Sequence, residues 1–374
     1  MPETLTETLT VDLGNRSYEI VIGAQLLPHL GERLHTLLPG RQVAIVSNTT
    51  VAPLYLERVE TTLRQHGFTT LAILLPDGEL YKDWPNLQKI FDALIQNGFE
   101  RSATLLALGG GVVGDMTGFA AASFLRGVPF VQLPTTLLAQ VDASVGGKTG
   151  INHPLGKNLI GAFYQPRQVL IDIATLHSLP VRERLAGMAE VIKYGILWDK
   201  AFFQRLEQDL DKILALEPRA LIDTIRTCCA IKAEIVAQDE REAESGRRAL
   251  LNLGHTFAHA IETLTGYGEL LHGEAVAIGM LMATELSQRL GLCPAAEAAR
   301  IHRLISRCGL PMQAPHFPVE HYLEAMARDK KVLDGALRLV LVHGIGHAVI
   351  HSGLPLEPLR QAIQCHLQAP IRPA

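Results

Sequence analysis

The stretch that most restricts the fold runs from residue 42 to residue 135. There the apolar runs QVAIVS, TTLAILL, ATLLALGG and PFVQLPT alternate with the amphipathic segments PLYLERVETTLRQHG, KDWPNLQKIFDALIQNG and MTGFAAASFLRG. The runs have strand length, and each amphipathic segment ends at or near a glycine, as a helix C-terminus does. Strands that alternate with helices imply parallel strands joined by helical crossovers. The expected fold is therefore an α/β, Rossmann-like N-terminal domain over residues 1–178, opened by an antiparallel pair, TLTVDL and YEIVIG, that turns at Gly14 and Asn15. From Pro180 onward, 3.6-period segments such as LIDTIRTCCAIKAEIVAQ, AVAIGMLMATELSQRLG and AAEAARIHRLISRCG replace the β-rich runs. Residues 179–374 are expected to form a mainly α-helical domain, with LRLVLVH and HAVIHSG as a small hairpin inside it.

A chain of 374 residues with 48% hydrophobic content has enough apolar material for two buried cores. Its formal net charge of −4, with no run of like charges, gives no electrostatic footprint for nucleic acid. The opening MPETLTETLT has acids where a signal peptide carries bases, and no uninterrupted apolar stretch is long enough for a bilayer. The expectation is a cytoplasmic protein without a membrane partner. Cys228, Cys229, Cys293, Cys308 and Cys365 are scattered, odd in number and without a CxxC, which fits reduced packing thiols.

Three segments carry the chemistry of the second half: GMAEVIKYG at 187–195, LLNLGHTFAHAIE at 250–262 and LLHGEAVAIGM at 270–280. An isolated histidine in an apolar helix is ordinarily a hydrogen-bonded core or surface residue. Here Glu190, His255 and His272 all sit in apolar, glycine-punctuated helices, where an ionisable group is costly to bury without a metal or a counter-charge. One carboxylate and two imidazoles suit a divalent ion, Zn²⁺ foremost, and leave a coordination position for substrate. His255 and His259 lie one helical turn apart and Glu190 and Lys193 three residues apart, so each pair shares a helix face. This is not the HExxH metalloprotease pattern, since Thr256 follows His255.

The first half supplies ligand loops. In LLALGGGVVGDMTGFAA a strand runs into Gly109, Gly110, Gly111, Gly114 and Asp115 before a small-residue helix, an arrangement in which backbone and helix N-terminus can approach a pyrophosphate. It departs from GxGxxG at the first strand, so ordinary Rossmann binding does not follow. DGELYK at 77–82 and LPTT, ending in Thr135 and Thr136, fall where open α/β sheets bind ligands. QVDASVGGKTGINHPLGKNLIG, with Asp142, Lys148, Asn152, Lys157 and Asn158, reads as too polar and glycine-rich for a core element, hence as a ligand-shaped loop.

Taken in order from about residue 40 to residue 345, DGELYK, GGGVVGD, FLRGVPFVQLPTTLLAQVDASVGGKTGIN, GKNLIG, GMAEVIKYG, LLNLGHTFAHAIE, LHGEAVAIGM and DKK resemble the 3-dehydroquinate synthases. That family is similar in fold to glycerol and iron-dependent alcohol dehydrogenases. The resemblance implies a metal, zinc with cobalt as the alternative, on Glu190, His255 and His272. It implies an NAD⁺ site from Asp77, Gly78, Glu79, Leu80, Tyr81 and Lys82, from Gly110, Gly111, Val112, Val113, Gly114 and Asp115, and from Thr135, Thr136, Asp142, Lys148 and Lys157, with Thr175, Leu176, His177 and Ser178 completing it. Substrate would meet Asp142, Lys148, Asn158, Lys193, Lys232, Arg248, Asn252, His259, Lys330 and Lys331, of which His259, Lys193, Asn252 and Lys148 would serve catalysis. Arg126 resembles the arginine that members extend to a partner's substrate phosphate, which implies a homodimer.

The implied reaction turns 3-deoxy-D-arabino-heptulosonate 7-phosphate into 3-dehydroquinate and phosphate. It proceeds by transient oxidation, β-elimination of phosphate, reduction, ring opening and intramolecular aldol closure, a step of the shikimate route to chorismate and the aromatic amino acids. Two anionic ends of the substrate need cations, and the lysines and arginines just named supply them. The chain departs from the family pattern in DEREAESGRR, about two residues longer than DExExGxR; Arg248 rather than Arg247 is aligned because it precedes Asn252 by four. The rivals are another sugar-phosphate cyclase, a metal- and NAD-dependent polyol dehydrogenase, and an inactive NAD-binding protein.

Overall fold

The computed structural model describes residues 5–240, 246–266, 268–327 and 337–369. The chain divides into two compact units, and the division is not a single cut near 178: the first runs to Leu179 and also takes in Leu216–Ala237, while the second has Pro180–Ala215 and the chain from Gln238.

In the first unit, β1 (Thr6–Val11) and β2 (Tyr18–Gly23) form the expected antiparallel pair around the Gly14–Arg16 turn. β3 (Gln42–Asn48), β4 (Thr69–Leu75), β5 (Thr104–Gly109) and β6 (Phe130–Pro134) are the four runs read from sequence. The hairpin β7 (Lys148–His153) and β8 (Gly156–Phe163) and a further strand, β9 (Gln168–Asp172), follow. The seven-stranded sheet has the order β1-β2-β9-β6-β5-β3-β4, parallel throughout except for β1. Because side chains alternate across a strand, Ala44, Val46, Leu105 and Ala107 join the core against the helices Trp84–Gln96 and Gly111–Ser123. Their neighbours Val43, Ile45, Leu106 and Leu108 face Leu30–Leu37 and Ala52–Gln65 on the other side. The strand order reverses between β3 and β5, so the carboxyl ends of these strands flank the crevice where such sheets bind ligands.

Two features correct the sequence reading. β9 is a five-residue buried strand that went unread. The segment expected as a ligand-shaped loop contains a π-helical turn, Ala139–Ala143, followed by the antiparallel β7–β8 pair. Its glycines serve strand pairing: a Cβ on Gly150 would lie 2.5 Å from the Ile160 carbonyl oxygen, and one on Gly161 2.0 Å from that of Thr149.

The second unit is mainly helical, with Val181–Leu197, Lys200–Leu214, His255–Thr265, His272–Arg289, Ala295–Arg307, Val319–Ala327 and Leu356–Gln364. It also holds the expected hairpin, β10 (Arg338–Val342) paired with β11 (Ala348–Ser352). Cys228, Cys229, Cys293 and Cys308 are buried and Cys365 exposed, all as free thiols. No helix among the described residues is long and apolar enough to cross a membrane.

Candidate functional site

In the second unit, Glu190 lies in the middle of Val181–Leu197 with 1% exposure, a carboxylate with almost no water to solvate it. Neither of its oxygens accepts a hydrogen bond of ordinary geometry from the described residues. The Lys193 ammonium, one turn on and equally buried, forms an ion pair with Oε2, and His255 Nε2 stands 3.6 Å from Oε1. His255 opens the helix His255–Thr265, and its Nδ1 donates to the Leu253 carbonyl at 3.2 Å, which puts the ring's lone pair on Nε2. His272 opens the next helix, and its Nδ1 donates to the Glu262 carboxylate at 3.3 Å, with the same result.

The two helices lie close because Gly254 and Gly279 face each other; a Cβ on Gly279 would lie 2.1 Å from the Gly254 carbonyl oxygen. One donor atom from each of Glu190, His255 and His272 lies within 4.8 Å of the others. Two imidazoles and a desolvated carboxylate converging on one point form a donor set that a divalent cation stabilises, and its chemistry suits zinc. His259 stands beside this set, its ring centroid 5.9 Å from that of His255 and 6.5 Å from that of His272.

The two arginines of the longer segment are set apart: Arg248 is 2% exposed and donates to the Glu240 carbonyl, whereas Arg247 is exposed and reaches Gln238. Arg248–Asn252 is a 3₁₀ turn, in which positions three apart eclipse. Lys330 and Lys331 lie outside the described residues, as does 241–245 of that segment.

In the first unit the expected cofactor residues gather at the carboxyl ends of β3, β4, β5 and β6. Asp77 receives Asn48 Nδ2 at 2.6 Å and Thr50 Oγ1 at 2.7 Å, two partners that sequence reasoning missed although Asn48 ends β3 and Thr50 comes two residues later, at the point where the strand order reverses. Gly78 has φ 115°, a conformation that favours glycine. Leu80 and Tyr81 are exposed, and Lys82 turns inward with 4% exposure to reach Asp115 Oδ2 at 2.5 Å and Asn158 Oδ1 at 2.6 Å. Burial alone would lower the Lys82 ammonium, but Asp115 and then Glu79 hold it above the ordinary lysine value. Burial pushes the Asp115 carboxyl up, and Lys82 offsets only part of that.

Asn152 laces this loop to the hairpin, donating to Glu79 Oε1 at 2.8 Å and to the Lys82 carbonyl at 2.7 Å, and accepting from the Asn158 amide at 2.9 Å. The glycine segment runs into Gly111–Ser123 with Gly110 as N-cap and no side-chain cap, so the amides of Gly111, Val112 and Val113 lie open to an anion while Gly114 N bonds back to Gly110. Thr135 Oγ1 is buried without a partner among the described residues, and Thr136 Oγ1 accepts from Ala139 N.

Lys232, 7% exposed, donates to the Asp142 carbonyl at 2.6 Å and pairs with Asp142 Oδ1 at 3.0 Å. Burial pushes the neighbouring Cys229 thiol up to about 12, which leaves it inert. Thr175 and Leu176 are buried, with Thr175 Oγ1 bonded to Gln140, whereas His177 and Ser178 are exposed and Ser178 meets Tyr55 Oη at 2.5 Å. Lys148 is exposed at the start of β7, and Lys157 is half-buried at the start of β8. Leu125 and Arg126, both exposed, have φ 46° and 65°, two successive left-handed residues without the freedom of glycine.

Comparison with known proteins agrees over most of the chain. Residues 72–186 match the 3-dehydroquinate synthase N-terminal family and 187–332 the 3-dehydroquinate synthase C-terminal family. A 3-dehydroquinate synthase of Nitrosomonas europaea is 59% identical over 349 residues, covering 93% of this chain and 94% of its own. Among solved structures, a 2-epi-5-epi-valiolone synthase from Streptomyces hygroscopicus subsp. jinggangensis with NAD⁺ and Zn²⁺ bound is 30% identical at a TM-score of 0.86, covering 95% of this chain and 98% of that one. A 2-deoxy-scyllo-inosose synthase complexed with carbaglucose-6-phosphate, NAD⁺ and Co²⁺ is 25% identical at a TM-score of 0.88, covering 96% of this chain and 100% of that one.

Proposed function

The chain belongs to the 3-dehydroquinate synthase family, and we propose that it converts 3-deoxy-D-arabino-heptulosonate 7-phosphate to 3-dehydroquinate and phosphate, a carbon–oxygen lyase step of aromatic amino acid biosynthesis. The observation that carries this is the 59% identity to a 3-dehydroquinate synthase over nearly the whole chain, against 30% and 25% for cyclases of other skeletons. The buried Glu190 with His255 and His272 supports metal chemistry within it.

Glu190, His255 and His272 would hold zinc, with cobalt as the alternative, and the strand-end residues from Asp77 to Asp115, with Thr135 and Thr136, would hold NAD⁺. Bound there, NAD⁺ would supply reversible hydride transfer and the metal would supply a Lewis acid for the substrate hydroxyls. The chain's own part is positioning and charge. Lys193 pairs with the Glu190 carboxylate, and Lys232, Arg248 and Lys148 would meet the substrate's anions. His259, beside the donor set and outside it, would move protons or bind phosphate together with Asn252. The left-handed Leu125–Arg126 turn, with both side chains exposed, supports an Arg126 that reaches a second copy in a cytoplasmic homodimer.

The test incubates zinc-loaded protein with the heptulosonate phosphate and a small amount of NAD⁺, following phosphate and 3-dehydroquinate together. Equal yields of both, in large excess over NAD⁺, are expected. Accumulating NADH would point to a dehydrogenase, and turnover of a different sugar phosphate alone would point to another cyclase.

A further inference from the structure

Glu262 is 5% exposed on the helix His255–Thr265, seven residues after His255 and three after His259, so two turns of one helix present all three on a single face. The sequence reading gave Glu262 no role, and the reaction proposed above does not use it. Its Oε1 stands 3.3 Å from His272 Nδ1. The His272 side chain keeps 37% of its surface exposed while that of Glu262 keeps 6%, so a fixed, buried carboxylate bears on a half-exposed imidazole. The backbone of His272 is secured separately: Glu274 accepts from the Leu271 amide at 2.8 Å and takes Arg182 through two bonds of 2.7 Å. The Glu262 carboxylate bears on the ring itself, at the nitrogen that faces away from Glu190 and His255 if Nε2 meets the ion.

We propose that Glu262 is the positioning residue of the metal centre, holding His272 in the tautomer and ring orientation that present Nε2 to the ion. The two histidines are thereby supported unequally, His255 by the neutral Leu253 carbonyl and His272 by a full negative charge. Carboxylate support of a ligand histidine is worth about 10–100-fold in metal affinity. The inference rests on the metal reading of Glu190, His255 and His272.

The experiment strips the full-length protein with a chelator and titrates zinc against a chromophoric competitor, for the parent, Glu262→Gln and Glu262→Asp. Melting temperatures are recorded without and with zinc. The expected result is a zinc affinity about 10–100-fold weaker in Glu262→Gln, smaller loss in Glu262→Asp, and little change in the melting temperature of the zinc-free protein. Parental zinc affinity in Glu262→Gln overturns the inference, as does a lowered zinc-free melting temperature with affinity intact, which would make Glu262 structural only. Should Glu262→Gln not fold, Glu262→Asp decides on the same two readouts. A parent that binds no zinc, or a Glu190→Ala variant that binds it as well as the parent, would bring down the metal reading itself, a pattern separate from failure at Glu262 alone.

Discussion

Gly273→Ala tests whether the spacing of two helices sets the metal centre. Gly273 is the residue after His272, and a Cβ there would lie 1.9 Å from the Ala186 carbonyl oxygen, 2.5 Å from its carbon and 2.9 Å from its Cα, all backbone of the helix Val181–Leu197. No side chain can rotate away, so the helices must part. A carbon–oxygen contact relaxes at about 3.3 Å, which asks for an opening of roughly 1.4 Å. Ala186 lies one turn before Glu190, so that opening falls on the separation of Glu190 from His272. Metal–ligand distances tolerate only about 0.2 Å.

Alanine gains up to about 1 kcal/mol over glycine in helix propensity, and less in a first turn. Overpacking costs about 1–3 kcal/mol, and backbone against backbone belongs at the upper end. The steric cost wins by about 2 kcal/mol, which for a unit of this size lowers the melting temperature by roughly 4–8 °C. Calorimetry of the zinc-free variant and a zinc competition titration should show both that drop and an affinity weaker by about tenfold or more. Unchanged melting and unchanged zinc affinity would refute the account of how the ligands are spaced.

Lys82→Met removes the partner of the half-buried Asp115 carboxylate and should cost about 1–3 kcal/mol, together with weaker NAD⁺ binding by calorimetric titration. The double variant with Asp115→Asn should regain much of the stability; a double variant no more stable than Lys82→Met would defeat the reasoning. His259→Ala should lower turnover with zinc content intact, and loss of zinc would instead make His259 a ligand. The Glu297 carboxyl is held below its ordinary value of 4.5 foremost by the Lys200 hydrogen bond, which outweighs the opposing effect of burial, with the Ile345 amide adding to the lowering. A carboxyl lowered in the folded state stabilises fully above its unfolded value and loses that contribution as pH falls through its folded value. The melting gap between parent and Glu297→Gln should therefore hold at pH 7 and 5 and close only below 4.5.

How much could be read in advance depended on whether neighbours in space were neighbours in sequence. Strand and helix alternation is local, so β3 to β6 and their crossovers were legible, as were Glu190 with Lys193 and His255 with His259, pairs one turn apart. β9 escaped because five residues between turns carry no periodicity, and the β7–β8 hairpin escaped because glycine was weighed as a breaker when it was admitting a close strand. The same misjudgement applies at the metal centre, where Gly254, Gly273 and Gly279 punctuate apolar helices and their meaning lies wholly in the backbone opposite. Asn48 ends β3 and Thr50 follows it, 27 or more residues before Asp77, and only the parallel pairing of β3 with β4 makes them its partners. Glu262 differs from these. The spacing HxxxHxxE already placed it on the ligand face, and a buried carboxylate beside two imidazoles has to be answered by a proton donor, which the helix beginning at His272 supplies. The candidate ligands could thus be named from type and spacing, while what holds each of them in place is tertiary, apart from this one carboxylate whose position the helix period had already set.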